Sequence, residues 1–401
     1  MKRDRRLVLR LLVLAFSGLT LCSVPAARCQ AKTDARRSVD ANPEPFEQLA
    51  ARAQAAMDDN RTAEAIGLFE RATTIRPGWS EGWWYLGTLA FDAGQFTKAR
   101  AAFLHFTSVE HTQPGPGFGM LGLIEFQRKD YPKALAALER GRTLGLGDNA
   151  EFVHSVLYHD GIVNNLLGQP EIALVRLTLI ANQIAYTHPE AAKDAVLADN
   201  ALLDAFGLAA LRMAMLPADI PEKQAALVRS AGHAQAQVAL QDWITAGKEM
   251  KQLVAQYTAE PGVHYLYGVQ LLKEDPPSAI EQFQSELEIS PRNPAAHIQL
   301  ALEFLGSADY KQGLKHAQEA VALAPGNFVA HVACGKLWLA LGNTERALQE
   351  MRTAVKLSPG SPDAHFALSR ALSDAGKSRE AALERAEFER LKAIANAADR
   401  R

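Results

Sequence analysis

Apolar and polar positions follow a helical rhythm through most of the chain, and that rhythm itself recurs. Pro291, Pro325 and Pro359 lie 34 residues apart, as do His297, His331 and His365, and Gly313, Ala347 and Ala381. Near the start, Leu49 and Trp83 keep the same interval, and so do Ala65 and Ala99. Within one period a large residue is followed by a Leu and then a small residue, as in Trp83, Leu86 and Gly87. A second small residue comes later, with a large one four beyond it, as in Ala99 and Phe103 or Ala347 and Met351. Small residues at matched places let two helices cross closely. Pro at the end of the period stops the second helix, because it cannot continue the hydrogen-bond ladder. The pattern predicts a helical hairpin every 34 residues, turning at Gly94, Gly342 and Gly376.

The units carry this pattern with varying clarity. The clearest are Trp83–Phe103, His297 to Pro325, His331 to Pro359 and His365 to Phe388, and four consecutive units run in strict register from Gly262 to Phe388. Weaker units contain Ala65, Phe69 and Pro77; Phe118, Gly122, Tyr131 and Leu138; Leu157, Gly161 and Ala173; Trp243, Ala246 and Met250; and Gly268, Ala279 and Phe283. A 34-residue helix–turn–helix period with these residues resembles the tetratricopeptide repeat family. The resemblance implies an all-α fold, a right-handed α-α superhelix of about nine hairpins. It also implies a concave groove lined by the first helix of each hairpin. In this sequence the matching positions are Trp84, Thr88 and Phe91; Tyr265, Val269 and Leu272; Ile298, Leu302 and Leu305; Val332, Lys336 and Leu339; and Phe366 and Arg370. The family's basic clamp for chaperone C-termini is not matched, since Ala50 and Gln54 stand at the equivalent sites of the first unit.

The register fails in the middle. Ala173 and Ala246 are 73 residues apart, a little over two periods. Pro189 to Leu216 reads as one helix, and Pro221 opens another that runs toward Leu240. Phe206-Gly207 either marks the turn of a decayed repeat or lies within an extra helix, and both readings stay open. His111 to Gly117 holds two Pro and two Gly and is predicted as a loop. The organisation expected is a secretory signal at 1–31, a flexible linker at 32–44, an N-terminal array at 45–181, an irregular helical insert at 182–228, and a C-terminal array at 229–396.

The first residues depart from the pattern altogether. Lys2, Arg3, Arg5 and Arg6 precede an apolar run from Leu11 to Val24, and Pro25, Ala26 and Ala27 follow. Basic start, short apolar core and small-residue site form a secretory address, cleaved between Ala26 and Ala31. The run is shorter than the ~20 residues that span a bilayer, and an uncleaved membrane anchor is the alternative. With an Ala- and Arg-rich style, this points to a periplasmic or secreted bacterial protein.

Length and charge narrow the function. At 401 residues the chain exceeds what one compact core holds, about 250–300 residues. The net charge is −2, and loss of residues 1–26 leaves 38 basic against 44 acidic residues, a net −6. An acidic chain with no basic block is a poor partner for nucleic acid, where phosphate neutralisation dominates binding. Of three cysteines, Cys22 and Cys29 lie in the address segment, and Cys334 reads as a small buried hydrophobe.

No catalytic or metal constellation stands out, and no cofactor is implied. Gly117, Gly119 and Gly122 match G-x-G-x-x-G, but the strand that motif needs is missing. His297, His331 and His365 form a ladder whose rungs are about 10 Å apart in a stack of helices, too far to share one ion. His154, His159 and Asp160 read as packed or solvated. The candidate acids for an enzyme centred on 182–228 are the scattered Asp194, Asp199 and Asp204. The function expected is a non-catalytic scaffold or adaptor, whose groove binds a partner peptide or helix. A self-assembling spacer is the alternative, and an enzyme is the weaker one.

Overall fold

The computed structural model describes residues 45–398, and the predicted signal and linker lie outside them. The described chain is α-helical with no strand, and it divides into two compact units between Gln183 and Ile184.

The first unit holds four hairpins. They are α1 (Phe46–Asp58) with α2 (Thr62–Ile75), α3 (Ser80–Asp92) with α4 (Phe96–Val109), α5 (Gly115–Gln127) with α6 (Tyr131–Leu144), and α7 (Ala150–Leu166) with α8 (Pro170–Thr187). The second unit opens with the short α9 (Ala192–Ala198) and α10 (Asn200–Ala210). Five hairpins follow: α11 (Glu222–Ala239) with α12 (Trp243–Gln256), α13 (Val263–Leu271) with α14 (Pro276–Ile289), α15 (Pro294–Gly306) with α16 (Tyr310–Leu323), α17 (Phe328–Ala340) with α18 (Thr344–Leu357), and α19 (Pro362–Asp374) with α20 (Ser378–Ala398). The nine hairpins expected are therefore present.

All but one of these hairpins turn through a residue in the left-handed region. Gly94, Gly168, Gly342 and Gly376 occupy it at no steric cost, while Asn60, Lys129, Gln241 and Ala308 accept roughly 1–2 kcal/mol of strain. The exception is the turn from α13 to α14, where Asp275-Pro276-Pro277 starts the second helix directly. In seven of the others the next N–H bonds back five residues, as from Gln95 to Ala90 and from Asn343 to Trp338, closing the first helix. The second helix commonly starts on a side-chain cap: Asp130, Asp242, Asp275, Asp309 and Asn343 each accept an N–H from three residues on.

Close crossing explains the small residues. A Cβ on Gly87 would lie 2.6 Å from the Phe103 ring, and one on Gly268 would lie 2.7 Å from Phe283. The large residue of the second helix fills the space that glycine leaves.

Two local expectations change. The Pro/Gly loop ends early, because α5 begins at Gly115 and Pro116 sits in its first turn, where a missing N–H costs nothing. Gly115 and Gly119 stay helical because α6 and the turn after it press close: a Cβ on Gly115 would lie 1.8 Å from the Gly145 carbonyl. The long helix expected over 189–216 is broken at Asp199, whose carboxylate accepts from Ala201 and Leu202 and restarts the chain as α10. Gly207 is inside α10, at a contact so close that a Cβ there would meet the Val228 carbonyl at 1.9 Å.

Candidate partner-binding surface

The row of large residues opening each first helix builds internal rungs. Trp83 Nε1 donates to the Pro77 carbonyl at 2.7 Å and its ring stacks on His105. His297, His331 and His365 bring Nε2 to the carbonyls of Pro291, Pro325 and Pro359 at 3.0–3.2 Å. Their Nδ1 atoms face His316 at 3.0 Å, Glu350 at 2.6 Å and Glu384 at 2.6 Å. Both nitrogens of His331 and His365 thus face oxygen atoms, a carboxylate on one side and a backbone carbonyl on the other. The rungs tie the second helix to the end of the preceding hairpin. Both nitrogens of all three histidines are engaged, and no group of three or more potential metal ligands occurs among the described residues.

Other buried charges also have structural partners. Glu286 accepts from the Gly262 and Tyr265 N–H groups and from Asn293, holding the N-terminus of α13. Asp160 lies between Arg176 at 3.2 Å and Arg142 at 3.5 Å, and Asn164 donates to it at 2.6 Å. Burial pushes its carboxyl up, and the two guanidiniums oppose that shift. Burial pushes the Cys334 thiol up to about 12, with Glu350 adding to it, so the sulfur stays an unreactive packing group. Asp204 accepts from Arg229 at 2.6 and 2.8 Å, and Asp199 is a helix cap. Two of the three acids nearest an imagined active site thus hold local structure.

The glycine motif is likewise spent on packing. Gly117 lies under Phe106, Gly119 under Phe152 and Gly122 under Leu138. It sits on a helix in an all-α surrounding, away from the strand-to-helix turn a dinucleotide needs.

The groove positions separate into two sets. Trp84, Thr88, Tyr265, Ile298 and Val332 are buried. Trp84 packs on Phe103 and Phe106, and Tyr265 on Phe283, with the Arg212 guanidinium 5.2 Å above its ring. Ile298 packs with Ala330, and Val332 with Ala364 and Leu368, residues of the following hairpin's first helix. The close fit of α15 to α17 and of α17 to α19 covers this row. Phe366, in the last described hairpin, has no such cover among the described residues; it is 40% exposed and lies against Phe388.

The next row stays open. Val269, Lys336 and Arg370 are exposed, and Phe91, Leu272, Leu302, Leu305 and Leu339 are half-buried. In the second unit this makes an aliphatic strip on α13 and α15 that continues into two cations on α17 and α19. Sequence spacing identifies both rows equally; only the helix-to-helix distance tells which one is covered.

Hairpins of this length, stacked in register with their first helices side by side, define the class of helical-repeat proteins. The chain carries tetratricopeptide repeats: the tetratricopeptide repeat profile matches residues 30–79, 50–106 and 298–362. Among solved structures, MamA residues 41 to the end from Desulfovibrio magneticus RS-1 is 20% identical, covering 42% of this chain and 96% of that one, with a TM-score of 0.38. TTC0263, a thermophilic tetratricopeptide repeat protein of Thermus thermophilus, is 18% identical, covering 41% and 94%, with a TM-score of 0.35. No curated protein matches the sequence.

Proposed function

We propose that the protein is a non-catalytic scaffold that holds a partner segment along the open row of its first helices. The observation that carries this reading is the accessible strip Val269, Leu302, Phe366, Lys336 and Arg370, in which the two cations have no ion pair among the described residues. Apolar side chains with a few cations suit an extended or helical peptide. A preformed strip binds it without the cost of ordering itself. The buried polar groups described above already serve as caps, rungs and ion clusters, which supports a passive role. Placement in a bacterial envelope rests on the basic start, short apolar core and small-residue site of residues 1–31.

Photo-crosslinking residues placed at Val269 and Phe366, in cells, test the reading. The same partner is expected from both sites and from an envelope fraction, with loss on Lys336→Glu combined with Arg370→Glu. Mass spectrometry of the captured protein reads its mature N-terminus. Trp84→Ala is unsuitable as a groove variant, because it empties a packed site. Crosslinks unchanged in the double-charge variant would overturn the groove; a full-length N-terminus would overturn only signal cleavage, in favour of the uncleaved anchor.

A further inference from the structure

We propose that the outer face of α8 is a self-association surface, through which two copies of this chain pair about a two-fold axis. Ile172, Val175 and Leu179 are 38%, 54% and 39% exposed on one side of this helix. The other second helices serve as internal controls. At the equivalent first and third places all eight carry polar side chains, for example Lys133 and Arg140 in α6 or Gln312 and Glu319 in α16. Half-buried or exposed, those positions stay polar, so three branched aliphatic residues in α8 are a local departure from an otherwise repeated design.

The spacing indicates what covers them. Steps of three and then four residues form the seam along which two helices lie nearly parallel or antiparallel, so the occupant is a helix with a matching seam. The charge pattern indicates which helix. From Ile172 to Gln183 the only charged residue is Arg176, and it turns inward to Asp160. A face without net charge meets its own copy with no repulsion, which an isologous pair requires. Val175 stands at the middle of the seam, so in an antiparallel pair it meets Val175 of the second copy near the axis. Three side chains per copy form a small contact, and a reversible dimer follows rather than a permanent one. The surface is separate from the open row of first helices, and its failure would leave the partner reading untouched.

Sedimentation equilibrium of the full chain tests this. Wild type is expected to pass from monomer to dimer with rising concentration. Val175→Glu and Val175→Lys are each expected to remain monomeric with unchanged helicity and melting temperature. An equimolar mixture of the two is expected to dimerise again, because the opposite charges meet at the axis. Ala101→Glu, the same change on α4, is expected to dimerise like wild type. A wild type that stays monomeric at every concentration overturns the proposal. So does a dimer that persists in both single-charge variants, or a mixture that fails to re-form it.

Discussion

Asp92 ends α3 with both carboxylate oxygens shut away from solvent and bonded to nothing among the described residues. Burial pushes its carboxyl up to about 7, from an ordinary 3.8. The folded chain therefore keeps this proton to higher pH than the unfolded chain does. The cost of ionising it is absent below about pH 4 and grows as pH rises through 7. The full shift corresponds to about 4 kcal/mol, and partial exposure reduces that to ~2 kcal/mol. Asp92→Asn is therefore expected to gain ~2 kcal/mol over wild type between pH 4 and pH 8. Urea denaturation at the two pH values checks it; an equal effect at both would contradict the assignment. Asp160 poses the same problem solved differently: fully buried, it has Arg142 and Arg176 beside it. Removing either partner would strand a buried charge, which is costlier than losing an exposed pair.

At the scale of the helix pair, the rungs of His297, His331 and His365 differ in one place. His331 and His365 face carboxylates, whereas His297 faces His316. Burial, together with the neighbouring His297 and Lys315, pushes the His316 imidazole down to about 4. The unfolded chain takes up this proton near 6.5, so stability present above that pH is lost as pH falls toward 4. With half-exposure allowed for, the loss is ~1–2 kcal/mol. His316→Glu restores the rung of its neighbours and is expected to flatten this fall. Denaturation at pH 7 and pH 5 checks it, and an unchanged slope between them would count against the account.

The helices themselves were legible because spacing carries them: Pro at 291, 325 and 359, Ala or Gly at each close crossing, and Gly at several turns. What was not legible depends on distances that spacing does not encode. The Gly115 to Gly117 stretch reads as loop by composition, yet it is helix, and its neighbours leave no room there for a side chain. The break at Asp199 comes from a cap whose effect appears only once its carboxylate is seen on Ala201 and Leu202. Among the groove positions, Ile298 and Val332 are indistinguishable in sequence from Phe366, and their burial follows from the helix that succeeds them. The ion cluster at Asp160 brings together residues from three helices, and no local motif announces it.

Across the whole molecule, a division of labour repeats with the sequence. In the clearest hairpins the His or Trp row ties neighbours together, the row beside it packs against the next first helix, and the row beyond that stays open. No described helix is long and apolar enough to cross a membrane.

Hydrogen exchange on the complex with the captured partner tests that division most directly. Protection is expected to recur once per 34-residue period, at Val269–Leu272, Leu302–Leu305, Lys336–Leu339 and Phe366–Arg370, with the second helices unchanged. Protection gathered in a single continuous stretch, or confined to residues 199–229, would contradict it.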